Sequence, residues 1–207
     1  MQQSMVLVSS VKRVRGKAIL TLSSGETLHM PRAMLKERPY RSGMPFDLES
    51  HHRFVNERSY AFALQKAISL LAVRARTEQE IVQALQENAY PQPAIARVVA
   101  KLHDAGYIND ADFASAWSAS RVAKGVGSQK IRMELRKKGV DADTAEQALS
   151  AIDADDQLAG ALLAARKAAR GKNLALPADR QKVLAALARR GYSFSIAKHA
   201  LDELRNR

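Results

Sequence analysis

From Tyr60 onward, apolar residues recur every three to four positions, the spacing of an α-helix with one buried face, and the pattern repeats. Three segments align without gaps: 81–90, 131–140 and 183–192. Each has a β-branched apolar residue, a leucine four positions later, a small residue four after that, and then Tyr or Val. A repeat of about 50 residues built from helices is typical of a tandem array.

Each aligned segment lies between two further helical patterns. A longer one precedes it at 60–73, 112–124 and 156–170, and a second apolar pattern follows it at matching offsets. The small residues Ala89, Gly139 and Gly191 are predicted to end the middle helices, because a residue in the left-handed conformation commonly terminates a helix. Helix starts are predicted at Thr77, which forms a capping box with Glu80, and at three further residues: Ser128, Asp143 and Ser193.

The first fifty or so residues differ from the rest. Short alternating runs predict strands at 6–8, 12–15, 18–22 and 27–30, followed by a short helix at 32–36. Pro39, Gly43 and Pro45 then interrupt any regular pattern, and a polar linker is predicted at 48–58. The expected fold is mainly α: a β-rich module with linker (1–55), then three-helix repeats at 56–109, 110–153 and 154–207 that form an elongated, curved body.

Composition agrees with a helical protein. Apolar residues make up 46% of the chain and aromatic residues only 5%, a balance that favours helices over a sandwich or barrel. The chain has no cysteine, which excludes disulfides and thiolate metal sites and fits a reducing cytoplasm. No window approaches a membrane span, and the first residues have no signal-peptide pattern. We therefore expect a cytoplasmic protein without a membrane partner.

The net charge of +12 indicates a polyanionic partner. The excess is uneven: residues 121–138 contain seven cations and one acid, and residues 166–190 contain eight and one, whereas residues 56–109 contain six and five. Beside the apolar stripe, the second repeat places Lys130, Lys137 and Lys138. The third repeat has Lys182, Arg189 and Arg190 there, and the first has Glu80, Glu87 and Asn88. The fold therefore does not require the cations, which favours a binding role over an ordinary solvated face.

Met133 is expected opposite the core stripe, where a flexible thioether suits an adaptable protein contact. Phe113 and Trp117 are expected in the core, and Tyr90, Tyr107 and Tyr192 are expected to pack at helix ends. The candidate contact residues for a partner protein or DNA lie in repeats 2 and 3: Arg121, Lys124, Lys130, Arg132, Met133, Arg136, Lys137, Lys138, Arg166, Lys167, Arg170, Lys182, Arg189 and Arg190.

The chain carries no motif of an enzyme. "KGVGSQK" (124–130) lacks the spacing of a phosphate-binding P-loop, and neither a nucleophile motif nor a carboxylate pair stands out. His51 and His52 are adjacent and poorly placed to share a metal. We expect no catalytic residue, no metal and no cofactor.

Residues 102–141, "LHDAGYINDADFASAWSASRVAKGVGSQKIRMELRKKGVD", closely resemble the signature block of the RecX family, bacterial regulators of the RecA recombinase. The matching features are the Gly-Tyr-Ile-Asn-Asp turn at 106–110, Phe113–Ala114, Arg121, Gly125-x-Gly127, the Ile131-x-x-Glu134–Leu135 helix and Lys138–Val140. The resemblance covers roughly 57–205, and the β-rich module looks like an extension present in part of the family.

The resemblance implies a non-enzymatic protein that binds the RecA–single-stranded-DNA filament in its groove and inhibits recombinase, ATPase and coprotease activities. It would thereby modulate recombination, DNA repair and the SOS response. The expected partners are the RecA filament and single-stranded DNA, with non-specific duplex DNA as a further possibility, and the protein is expected to be a monomer. Two alternatives stay open: an autonomous helix-turn-helix-like DNA-binding regulator, and a structural adaptor.

Overall fold

The computed structural model of the chain describes residues 5–206. These residues form three strands, a short 3₁₀ helix and nine α-helices in two compact units that divide between Ile108 and Asn109: unit 1 up to Ile108 and unit 2 from Asn109. Within the described residues, none of the helices has both the length and the apolar character needed to cross a membrane.

Unit 1 begins with an antiparallel sheet of three strands in the order β1 (Val8–Arg13), β2 (Lys17–Leu22) and β3 (Thr27–Pro31), followed by the 3₁₀ helix Arg32–Lys36. Alternate residues of β2 are buried, so one face of the sheet packs on the core and the other is solvated. Two separate strands were predicted where β1 stands. That prediction was wrong, because the chain pairs with β2 from Val8 through Arg13 with a single irregularity in register.

Three three-helix repeats follow, which confirms the predicted fold class. Repeat 1 is formed by α1 (Leu48–Leu71), α2 (Glu78–Glu87) and α3 (Gln92–Asp104). Repeats 2 and 3 make up unit 2: α4 (Asp110–Val122), α5 (Ser128–Lys137) and α6 (Ala142–Ser150), then α7 (Ala154–Ala169), α8 (Pro177–Arg189) and α9 (Phe194–Arg205). The elongated, curved shape and the domain boundaries stay predictions.

The repeated apolar positions form the cores of the repeats. All six side chains at the first two positions of the motif are fully buried: Ile81, Leu85, Ile131, Leu135, Val183 and Leu187. The small residues after the middle helices adopt positive φ angles, +62° at Ala89, +83° at Gly139 and +89° at Gly191, as predicted for residues that end a helix.

The predicted polar linker at 48–58 is wrong, because these residues form the first half of α1. Asp47 caps that helix by accepting a hydrogen bond from the backbone N–H of Ser50. Its buried positions are spaced by four but hold small or polar residues: His51, Val55, Ser59, Ala63 and Ala67. Val55 belongs to the core beneath the sheet and Ala63 to the core of repeat 1, so α1 serves both.

Two of the four predicted helix starts were correct. Thr77 and Ser193 cap α2 and α9 as predicted, by accepting from the N–H groups of Glu80 and Ile196. Ser128 and Asp143 do not cap: the N-cap positions are Gly127 and Asp141, each immediately before the first helical residue.

The aromatic predictions were right except at Tyr107. Tyr90, Tyr192 and Phe113 are buried, and Trp117 packs against the core of repeat 2. Tyr107, however, is 65% exposed, because the turn after α3 directs its neighbour Ile108 into the core instead.

Candidate functional site

The basic helix α5 exposes its charged side while its apolar side is buried. Ile131 and Leu135 are completely buried, whereas Met133 is 61% exposed, as its position opposite the core stripe predicted. Arg136 and Lys137 lie in the last turn, where cations interact favourably with the negative end of the helix dipole. The cations of this helix are therefore compatible with its stability, although the core does not depend on them.

Arg121 is held inside repeat 2 by Glu134, the one acid among residues 121–138. Its Nε and Nη2 atoms donate to the two carboxylate oxygens of Glu134 at 2.7 Å and 2.6 Å, and Trp117 Nε1 donates to the same carboxylate at 3.2 Å. Burial by itself would raise the pKa of Glu134, but the hydrogen bonds from Arg121 and Trp117 outweigh it, so the pKa is lowered. This network joins α4 to α5 and occupies the one acid within residues 121–138.

The residue that follows each middle helix also has an internal contact. The Lys138 ammonium lies over the rings of Trp117 and Phe113, 4.4 Å and 5.4 Å from their centroids. In repeat 3, Arg190 donates to the carbonyl of Gly125 at 3.3 Å. Asn88, the equivalent residue in repeat 1, donates to the carbonyl of Ala84. Part of the basic character at this position therefore serves packing.

Helices α5 and α8 meet end to end within unit 2. The Gly127 N–H donates to the Arg190 carbonyl at 2.8 Å, and the Gln129 N–H donates to the Gly191 carbonyl at 3.1 Å. A Cβ atom at Gly127 would overlap the backbone of Gly191, and one at Gly191 would overlap the backbone of Lys130. We call this contact the α5–α8 junction (Gly127–Lys130 with Arg189–Gly191). It places the positive end of one helix dipole against the negative end of the other.

The junction brings two candidate cations of different repeats close together. Lys130 begins the exposed face of α5 beside Gly191, and Arg189 ends the exposed face of α8 two residues before it. Sequence alignment of the repeats placed these residues at different motif positions, so their proximity was missed. In the sequence, only Gly127 and Gly191 could have indicated this contact, and glycines at these positions are also typical of ordinary turns.

Two further candidates form exposed ion pairs. Arg132 Nη2 lies 2.7 Å from Glu146, and Lys182 Nζ lies 2.9 Å from Asp179 in the preceding turn. Ion pairs at the surface contribute little to stability, typically 0–1 kcal/mol, so an external anion can compete for these cations.

The side chains of the remaining candidates are exposed and form no hydrogen bond or ion pair with any residue in the range 5–206. They are Lys124, Lys130, Arg136, Lys137, Arg166, Lys167, Arg170 and Arg189, which we call the free cations. Arg166 and Lys167 are in the last turn of α7, and Arg170 follows it directly. Such a surface attracts polyanions, and the attraction weakens with salt.

The three repeats match known protein-family models in order. The model of the first three-helix domain of RecX matches residues 63–102, that of the second matches 109–149, and that of the third matches 155–201. These ranges correspond to repeats 1, 2 and 3.

Curated relatives extend the match across most of the helical part. The chain is 35% identical over 150 residues to the regulatory protein RecX of Amycolatopsis mediterranei, a match that covers 71% of this chain and 85% of the relative. It is 33% identical over 141 residues to the regulatory protein RecX of Bacillus subtilis, covering 67% of this chain but 53% of that relative. The chain thus spans about half the length of its Bacillus relatives.

Two crystal structures share the fold. One, of a regulatory protein RecX, superposes with a TM-score of 0.65 at 22% identity and covers 96% of this chain and 100% of that one. The other, of RecX from Lactobacillus salivarius, has a TM-score of 0.67 at 23% identity and covers 73% and 99%.

Proposed function

The chain belongs to the RecX family of regulatory proteins, and from that premise we propose that it binds the RecA–single-stranded-DNA filament and inhibits its recombinase, ATPase and coprotease activities. Through this inhibition it modulates recombination, DNA repair and the SOS response. The protein acts by binding and not by catalysis, as a cytoplasmic monomer without a cofactor.

The observation that carries the proposal is the exposed, uncompensated charge of α5 and of the end of α8. The side chains of Lys130, Lys137 and Arg189 form no hydrogen bond or ion pair among residues 5–206, and Glu134, four residues after Lys130, is already bonded to Arg121. Either the DNA backbone or an acidic surface of the RecA filament would complement them. The exposed thioether of Met133 would add local apolar fit.

Inhibition by binding needs a difference in affinity between states of the filament. A ligand shifts an equilibrium only as far as it prefers one state over the other. A protein bound along the filament, in the place that duplex DNA or a coprotease substrate would occupy, competes with them. It also biases the filament toward disassembly if it binds the inactive arrangement more tightly.

The contacts at the start of α5 argue against a helix-turn-helix regulator. A recognition helix inserts its first residues into the major groove. In this protein the backbone at the start of α5 is bonded to the end of α8: the N–H groups of Gly127 and Gln129 donate to it, and Gly127 lies against Gly191. Helix α5 would have to separate from α8 before it could enter a groove in this way.

The test is single-strand-DNA-dependent ATP hydrolysis by RecA with substoichiometric additions of this protein. We expect inhibition by the wild type and a loss of roughly tenfold or more in inhibitory potency for the triple variant Lys130→Glu/Lys137→Glu/Arg189→Glu. The matched control is Arg41→Glu/Lys101→Glu/Lys198→Glu. It reverses three exposed cations outside the candidate set and changes the net charge equally.

Comparison of the wild type, the triple variant and the control distinguishes the possible outcomes. No inhibition by the wild type would refute the proposed function. Equal inhibition by the triple variant and the control would keep the function but remove the site assignment. Sequence-specific binding to duplex DNA without RecA would replace the proposal with the autonomous DNA-binding alternative.

A further inference from the structure

Unit 1 contains a second basic feature, separate from the candidate residues of repeats 2 and 3. It is a pocket of about 380 Å³ where the tip of the β1–β2 hairpin meets the 3₁₀ helix, α1 and the end of α2. Four cations from three separate parts of the chain line it: Arg15, Arg32, Lys36 and Lys66.

The hairpin tip is fixed against both of its neighbours. Arg15 and Gly16 are its two central residues, closed by backbone hydrogen bonds between Val14 and Lys17. The Gly16 carbonyl accepts from the Arg32 N–H at 3.0 Å, and a Cβ atom at Gly16 would overlap the side-chain amide of Asn88. Gly16 has a φ of +82°, so glycine is required both for the turn and for the close approach. Arg15 and Arg32 are therefore positioned by the backbone.

No acid among residues 5–206 forms an ion pair with the cations of this pocket. Among the described residues, none forms a hydrogen bond or ion pair with the side chains of the four cations, and the pocket lining has no carboxylate. The acids that adjoin lining residues in sequence have other partners: Glu37 binds Arg58 at 2.7 Å, and Glu87 accepts from Gln83 at 3.0 Å. Like charges that converge without a counter-charge repel one another, so a bound anion would relieve this cost.

Guanidinium groups are suited to phosphate. Arg15 and Arg32 each present a planar fork of donors that matches phosphate oxygens, and the two lysines add ammonium charge. Two further cations, Lys12 and Arg13, are exposed on β1 just before the hairpin tip. A surface of this kind fits a chain of phosphates better than a single one.

We propose that the Arg15–Arg32–Lys36–Lys66 pocket binds the phosphate backbone of a nucleic-acid strand. The inference goes beyond the proposed function, because it assigns a binding role to the β-rich module and repeat 1 and requires no RecA. It gives the protein a point of attachment to nucleic acid distinct from the free cations of repeats 2 and 3.

The test measures binding of the full-length protein to fluorescein-labelled oligothymidine, without RecA, over a series of salt concentrations. The variant Arg15→Gln/Arg32→Gln/Lys36→Gln is compared with Arg41→Gln/Lys101→Gln/Lys198→Gln, which removes three exposed cations elsewhere. We expect the pocket variant to bind about tenfold or more weakly than the control, with a log–log salt dependence shallower by about 2, since each lost phosphate contact removes about 0.7.

Equal losses in both variants would overturn the proposal, because net charge alone would then explain the binding. So would unchanged DNA binding by the pocket variant together with weaker filament inhibition, which would assign the pocket to an acidic protein surface. If the variant fails to fold, NMR of the wild type decides. The amide signals of Gly16 and Arg32 should shift on addition of the oligonucleotide, and unshifted signals would refute the site. The oligonucleotide-binding and NMR measurements do not depend on whether the protein inhibits RecA.

Discussion

Helices α2 and α5 have the same core and opposite surfaces. Both bury an isoleucine and a leucine completely, and both end at a residue with positive φ. Beside that core, α2 carries Glu80 and Glu87, where α5 carries Lys130 and Lys137. Glu80 is paired with Arg74 at 2.8 Å, whereas Lys137 has no such partner among residues 5–206.

The difference between the two helices distinguishes what the fold needs from what it tolerates. The apolar positions are common to both helices, so they specify the repeat and say nothing about function. The surface charges change sign without changing the helix, so the reason for them lies outside the fold. The contacts around α5 are intermediate: Glu134 and Lys138 look like surface charges in sequence, but they hold α4 and α5 together.

The largest expected effect comes from the α5–α8 junction, which α2 lacks. Gly191→Ala should lower the free energy of unfolding by about 2–5 kcal/mol, because it combines a positive φ with overlap against the Lys130 backbone. Gly171→Ala is the matched control: its φ is also positive, but a Cβ atom there meets open space, so it should cost only about 1–2 kcal/mol. Urea denaturation followed by fluorescence of Trp117, which lies in unit 2, measures both. Equal losses would mean that the junction adds nothing to stability.

The second prediction concerns how the stability of each unit depends on pH. Burial, together with the nearby His52 and Arg38, lowers the pKa of His51 in unit 1 to about 4. Between that value and the ordinary one of about 6.5, the unfolded chain binds the proton and the folded chain does not. The stability of unit 1 should therefore fall as pH drops through this range, by on the order of 2 kcal/mol.

The measurement is an NMR titration of His51 together with thermal melts from pH 7 to pH 4. His51→Phe should remove this part of the pH dependence. In unit 2 the lowered pKa of Glu134 acts in the same direction but at lower pH, because its contribution is present above the ordinary carboxyl pKa of about 4.5 and is lost as the pH falls below that value. A normal His51 pKa would contradict the prediction.

Breaking the Arg121–Glu134 pair should have a moderate effect. Glu134→Gln removes the carboxylate that accepts from Arg121 and Trp117, and should cost about 1–2 kcal/mol of unfolding free energy. The equivalent residue of α2 is Ala84, so repeat 1 has no such network. Glu146→Gln, which breaks the exposed pair with Arg132, should cost no more than about 0.5 kcal/mol in the same assay. A larger loss at Glu146 would reverse this ranking.

Reversing the free cations of α5 should have the smallest effect on stability. Lys130→Glu places an acid in the first turn, which the helix dipole favours, and Lys137→Glu places one in the last turn, which it disfavours. The double variant should therefore differ from wild type by less than about 0.5 kcal/mol in urea denaturation. A loss of several kcal/mol would show that the cations belong to the fold.

The sequence predicted the repeats well, because large β-branched residues and leucines at helical spacing fit few structures other than a helix with one buried face. It failed at 48–58, where the buried stripe of α1 consists of His51, Val55 and Ser59 and therefore has no apolar signature. The caps Thr77 and Ser193 were predicted correctly, and those of α5 and α6 were missed by one or two residues, because Gly127 has no side chain to indicate a cap and Asp143 competes with Asp141.

The candidate surface was less predictable than the fold. A helical projection identifies Lys130 and Lys137 as exposed, but it cannot show that Lys138 turns back over Trp117 or that Arg190 reaches Gly125. It also cannot bring together residues that are distant along the chain. Lys130 and Arg189 are joined by a contact between glycines, and the four cations of the unit 1 pocket are spread from position 15 to position 66.

The most direct test of the central claim measures filament affinity and stability on the same samples. Wild type, Lys130→Glu/Lys137→Glu/Arg189→Glu and the control Arg41→Glu/Lys101→Glu/Lys198→Glu are titrated onto RecA–single-stranded-DNA filaments and then unfolded in urea. We predict that the first variant loses about tenfold or more in affinity relative to the control while both keep wild-type stability within about 1 kcal/mol. Equal affinities for the two variants would contradict the claim that these cations face the filament.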